Sequence, residues 1–146
     1  MEWEIQPFIG MGPLRFGMFP AEVAAIVGPP ESVDEDDEYL REYRAVELPI
    51  VSYENNVVTE IEAFYDVENV IFRGRRVFDE PGLAILQFFE QETHGARVNA
   101  GTVLFKDIGI TAGRLDEGVR GDHSVTAFAQ GLWDDRLARF KDITFV

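Results

Sequence analysis

The chain has 146 residues, enough for one compact domain that buries roughly 68–70% of its unfolded surface without a metal or disulfide staple. It contains no cysteine, which excludes disulfides, thiolate metal sites, thiol nucleophiles and a lipid-modified N-terminal cysteine. A formal net charge of −14 opposes nucleic acid and anionic membranes.

That charge is lopsided. Residues 1–66 hold 15 acidic and 3 basic side chains, whereas residues 67–146 hold 12 and 10. Such a field steers basic proteins, so the composition predicts a basic protein partner, no nucleic acid and no membrane; the alternative is acidity that serves solubility alone. The opening MEWEIQPF has early glutamates and neither a basic nor an apolar leader region. No apolar run approaches ~18 residues, and a cytoplasmic protein is expected.

Trp3 to Phe8 alternates weakly and reads as a first edge strand, followed by a turn region at Gly10, Gly12 and Pro13. Phe16 to Pro30, FGMFPAEVAAIVGPP, specifies a helix. Pro20 suits the first turn, and Phe19, Val23, Ile26 and Val27 fall on one face. Gly28 offers a left-handed cap and Pro29-Pro30 forbid continuation. Glu31 to Glu38, ESVDEDDE, is too polar to bury and reads as a loop.

Tyr39 to Leu48 reads as a strand that ends near Pro49, with Tyr39, Tyr43 and Ala45 opposite Leu40, Val46 and Leu48. Ile50–Tyr53 and Val57–Tyr65 then flank Asn55-Asn56, a pair suited to a tight hairpin. Val57, Thr59, Ile61, Ala63 and Tyr65 form one face of the second strand, and Glu60 and Glu62 the other, solvated one. Val70 to Arg73 and Arg76 to Phe78 bracket Gly74 as a further hairpin.

In the second helix Asp79 is the expected N-cap, Pro81 lies in the first turn and Gly95 offers the stop. Ile85, Leu86 and Phe89 share a face, and Leu83 and Phe88 widen the apolar arc. Either the helix is sandwiched or part of that arc meets another chain, as in a homodimer. Thr102–Phe105, Ile108–Ala112 and Ser124–Gln130 follow as strands, with a charged loop over Asp116–Asp122. Trp133–Phe140 is a short helix or irregular loop, and Asp142–Val146 a closing strand with Ile143 and Phe145 inward. The layout is therefore α+β: an antiparallel sheet carrying two helices, one domain over residues 1–146, with helix-then-strands occurring in halves 1–66 and 67–146.

Phe16, Gly17, Met18, Glu22, Val23, Gly28 and Pro30, leading into strands, resemble the opening of the beta-lactamase-inhibitor-protein-like and SmpA/OmlA-like small bacterial domains. The resemblance implies a helix-on-sheet domain that binds proteins and does no chemistry. The chain is also similar to small immunity proteins that neutralise bacterial toxins through acidic surfaces.

Reactive groups are sparse. Asp122-His123-Ser124 invites a hydrolase reading, but three consecutive residues in an extended segment point in different directions. His94 is placed to meet the carbonyls ending the second helix. Asp34, Asp36 and Glu38 lack the turn glycine and distal glutamate of a calcium loop, and Tyr39 stands where that glycine belongs. Arg73, Arg75 and Arg76 form the one basic cluster, suited to pairing with the molecule's own carboxylates, a second copy or an anion. Trp133, beside Asp134 and Asp135, is either a core residue or an interface anchor.

The expectation is a protein-binding domain without cofactor or metal, immunity-like or inhibitor-like. Its partner-binding residues are Asp34, Asp36, Asp37, Glu38, Glu60, Glu62 and Trp133. A small hydrolase and a small-ligand or structural module are the alternatives.

Overall fold

The computed structural model describes residues 1–146. It is an α+β fold of two mostly antiparallel sheets with helices. Strands β1 (Trp3–Gln6), β2 (Gly10–Met11) and β3 (Leu14–Arg15) precede helix α1 (Pro20–Val27). Next come β4 (Ser32–Glu35), β5 (Tyr39–Tyr43), β6 (Ile50–Glu54), β7 (Val57–Phe64), β8 (Val70–Phe72) and β9 (Arg75–Arg76). Helix α2 (Gly82–Gln91) leads into β10 (Ala96–Asn99), β11 (Thr102–Phe105), β12 (Ile110–Gly113), β13 (Ser124–Phe128) and β14 (Lys141–Ile143). No helix is long and apolar enough to cross a membrane.

The large sheet has nine strands in the order β14-β10-β11-β12-β13-β7-β6-β5-β4, and the small sheet five in the order β3-β2-β1-β8-β9. Helix-then-meander occurs twice, and the two meanders meet where β7 and β13 pair antiparallel. Tight turns close the hairpins, and Arg73, expected at the end of a strand, instead enters the second turn with Gly74, so that the strand resumes at Arg75. Asn55 and Asn56 take φ of 50° and 66°, and Arg73-Gly74 take 48° and 82°, the positive values of a two-residue hairpin turn.

One face of the large sheet is dry. Val51, Tyr53, Val58, Ile61, Ala63, Val103, Phe105, Ile110, Ala112, Val125 and Ala127 join residues of both helices and the small sheet in a core of 27 buried side chains. Ile85, Leu86 and Phe89 of α2 enter this core as their spacing predicts. Ile143 and Phe145 pack against it from the C-terminal end. The opposite face has its own buried pair, Leu104 and Phe128, which lies outside that core.

Several expectations are corrected. The first strand is no edge: β1 lies in the middle of the small sheet and pairs parallel with β8, because β2 and β3 fold back along its free side. On α1 only Val23 is fully buried, and Phe19 and Ile26 are exposed. The helix is too short to bury a full stripe. Its start is secured by Glu22, which accepts the Phe19 backbone N–H at 3.0 Å. Gly28 has positive φ, but its ψ of 174° is extended, and its N–H closes the helix on Ala24.

Residues 32–35 form strand β4, where the composition implied a loop. Backbone pairing with β5 holds it, and all four side chains are exposed. Strand β5 ends at Tyr43, short of the expected Leu48. Register slips between β6 and β7: Ser52 faces Glu60 and Tyr53 faces Val58, leaving Thr59 as an extra residue. Val58, not Val57 or Thr59, therefore points into the core. Pro81, not Asp79, occupies the N-cap of α2. Phe88 is half-buried against Phe72, with the Arg75 guanidinium 4.4 Å from its ring centre, while Leu83 stays exposed. The strand at Ala96–Asn99 had no hydropathy signal and is held between β11 and β14.

Candidate functional site

The second face of the large sheet divides in two. Over β11–β13 it is closed: Trp133 packs on Phe128 and Phe140 in edge-to-face contacts, and Thr111, Ser124 and Thr126 are buried. Trp133 is thus half-buried within an aromatic cluster, and its indole N–H is buried without a partner. The remainder of the face, over β4–β7, is polar.

Register sets out that polar surface. Asp34 stands opposite Arg41, Arg41 opposite Ser52, Ser52 opposite Glu60 and Glu60 opposite Phe128. Side chains on one strand face alternate, so Glu62, Tyr39 and Tyr43 project on the same side. Arg41 is the local cation: its Nη2 lies 2.6 Å from Glu62 Oε1, and its guanidinium 5.5 Å from the Tyr43 ring centre. Tyr43 donates to Asp34 Oδ2 at 3.0 Å. Tyr39 and Ser52 hydroxyls lie 3.4 Å apart, and the Thr126 hydroxyl donates to the second Glu62 oxygen at 3.4 Å.

Glu60 differs from all of these. No hydrogen bond or ion pair reaches its carboxyl. Burial first, and the Glu62 charge second, push it up to about 7, against the pull of Arg41 and Arg136. The solvated role expected for both glutamates therefore fails: Glu62 is paired and Glu60 partly dehydrated. Arg136, which pulls against that upward shift, and Trp133, packed on the Phe128 opposite Glu60, lie far along the chain, where strand alternation does not reveal them.

Because its folded pKa lies above the ordinary 4.5, protonated Glu60 favours the fold. That contribution is complete below about pH 4.5 and lost as pH rises through about 7. Glu60→Gln should then gain about 1–3 kcal/mol on the wild type between acid and pH 8, read as the difference between the two urea-unfolding profiles. Parallel profiles would show that Glu60 has its ordinary affinity for protons.

The other predicted residues lie at one end of this surface. Asp36, Asp37 and Glu38 form the turn between β4 and β5, where Asp36 Oδ1 accepts the backbone N–H groups of Glu38 and Tyr39 at 3.1 and 2.9 Å. Asp36, Glu38, Tyr39, Glu54 and Asn55 line a shallow acidic depression of about 290 Å³. Asp34 connects this end to the sheet face, so six of the seven predicted residues are contiguous through β4, β5 and β7. Trp133 belongs to the aromatic cover beside them.

Electrostatic pairing separates the two halves of the chain more sharply than composition does. All three basic residues of the acidic half are engaged internally: Arg15 on the Gly12 and Leu14 carbonyls, Arg41 on Glu62, and Arg44 on Glu42. None of Glu31, Asp34, Glu35, Asp36, Asp37 or Glu38 has an ion pair. In the second half Arg73 meets Glu92, Arg75 meets Glu80, Arg97 meets Asp142 and Arg114 meets Asp122. The basic cluster is thus largely spent on its own carboxylates, and Arg76 bonds Asn69.

The histidines stand apart from this surface. His123 is buried, and its Nε2–H donates to the Glu117 carbonyl at 2.6 Å, while Asp122 faces Arg114. The three consecutive residues do not converge. His94 turns outward to Asp107, its Nδ1 2.6 Å from Oδ2, instead of meeting helix carbonyls. The His94 N–H and ring, together with Thr93, hold the Asp107 carboxyl below its ordinary range. No family model, curated protein or solved structure matches the chain.

Proposed function

We propose that this chain is a non-enzymatic protein-binding domain, immunity-like or inhibitor-like, that occludes a basic protein partner such as a toxin. The acidic β4–β5 end steers and docks that partner, and the Glu60–Glu62 face receives its cationic side chains. The observation that carries this reading is the run of six carboxylates from Glu31 to Glu38 left without an internal cation. Their mutual repulsion is relieved by a basic surface and aggravated by an acidic one, which favours one class of partner and excludes the other. Docking a cation beside Glu60 also lowers that carboxyl's proton affinity, so association strengthens as pH rises from about 5 to 8.

The test is association of a basic partner with wild type and with the Asp34→Asn, Asp36→Asn, Asp37→Asn triple variant, each at low salt and at about 0.15 M. The on-rate for the variant should fall by about tenfold or more at low salt and lose most of its salt dependence. Equal binding by both proteins at every ionic strength would assign the acidity to solubility.

A further inference from the structure

The large sheet ends on an unpaired strand. β4 is hydrogen-bonded to β5 on one side only, and its four residues are all exposed, Val33 at 47% included. An open edge presents backbone N–H and C=O groups at strand spacing, a ready template for another extended chain. We infer that the free edge of β4 takes an extended basic segment of the partner as a tenth strand of this sheet. The inference rests on the basic-partner reading and specifies how that partner is held.

Charge decides the occupant. A second copy of β4 would bring its own six carboxylates between Glu31 and Glu38 beside the six of this chain, and like charges gathered across a strand pair are destabilising. Neutral strands gain the ladder but leave the carboxylates beside newly covered backbone. A basic strand gains both. The same acidity that guards the edge against promiscuous pairing therefore selects its proper occupant.

Alternation narrows the pattern further. Asp34 projects on the polar face with Arg41 and Tyr43, whereas Val33 and Glu35 project on the core side. An added strand meets Asp34 with a cation on one face, and Val33 and Glu35 with an apolar residue and a cation on the other. The neighbouring strand is braced to receive it, through the Tyr43 bond to Asp34 and the Arg41 pair with Glu62.

The test uses a short peptide of valine-lysine-lysine repeats, which can set valine against Val33 and lysines against Asp34 and Glu35, and the same peptide N-methylated at alternate residues, which keeps the side chains and charge but removes strand hydrogen bonds. The unmethylated peptide should bind about tenfold tighter and slow amide exchange across Ser32–Glu35 by about tenfold. Asp34→Asn with Glu35→Gln should weaken it by a similar factor. Equal affinity for both peptides overturns strand addition while the basic-partner reading stands. No binding of either peptide at low salt overturns both. Self-association of the chain alone, protecting the same four amides, makes a second copy the occupant and also overturns the inference.

Discussion

Replacing Arg44 with alanine is expected to destabilise the fold by about 3–5 kcal/mol, because it leaves the Glu42 carboxylate unpaired in the interior. The side chains of Arg44 and Glu42 are only 2% and 6% exposed. Arg44 Nη2 lies 3.2 Å from Glu42 Oε1, and its Nε donates to the Gly28 carbonyl at 3.0 Å. The same glutamate oxygen accepts the Tyr53 hydroxyl at 2.6 Å. Burial, and then that bond to a carboxylate, hold the Tyr53 phenol far above its ordinary range.

Arg44 therefore ties the end of α1 to β5 and neutralises a charge the core would otherwise reject. A compensated variant separates the two contributions. Arg44→Met with Glu42→Leu and Tyr53→Phe removes every member of the network together, and should recover most of the loss, since apolar replacement of a buried pair is often neutral or better. Urea unfolding of the single and triple variants measures both. A cost below about 1 kcal/mol for Arg44→Ala would place the pair in water instead of the core.

Glu42 also shows where sequence reading stops. The alternation of YLREY puts Leu40 and position 42 on one side, and Leu40 does face Tyr53 across β5–β6. A charged residue at an inward position is indistinguishable from an outward one until its partner is known, and Arg44 beside Gly28 is set by tertiary packing. Local chemistry was more legible. Asn55-Asn56 turns where its φ preference demands, and so does Gly74, while Arg73 joins that turn at a positive φ its side chain does not favour; Ile85, Leu86 and Phe89 bury together because helical spacing needs no distant information.

Strand β4 and the Thr59 bulge were illegible for the opposite reason. Both are decided by backbone pairing with a neighbour, which leaves no mark in hydropathy. Of the proposed binding surface, Asp34 to Glu38 was readable as uncompensated charge. The separate fates of Glu60 and Glu62 depend on Arg41 from another strand, which pairs with Glu62, and on a burial of Glu60 that strand alternation does not reveal.

Phe89→Ala is expected to cost about 3–5 kcal/mol, the other large effect in this molecule. Phe89 is fully buried, and its ring meets Phe72 of the small sheet at 5.5 Å and Phe105 of the large sheet at 5.2 Å between centres. Strands of both sheets border the space it fills, and neither can move in without breaking its own hydrogen bonds. The hole persists and its lining loses contacts outright. Phe89→Leu fills part of the space and should lose less than half as much, whereas Leu83→Ala on the exposed side of α2 should stay within about 0.5 kcal/mol. At this chain length each kcal/mol moves Tm by roughly 2–4 °C, so thermal unfolding resolves the three variants. If Leu83→Ala proved the costly one, the outer arc of α2 would be covered in solution by another chain, and the apolar face would be the interface instead of the acidic edge.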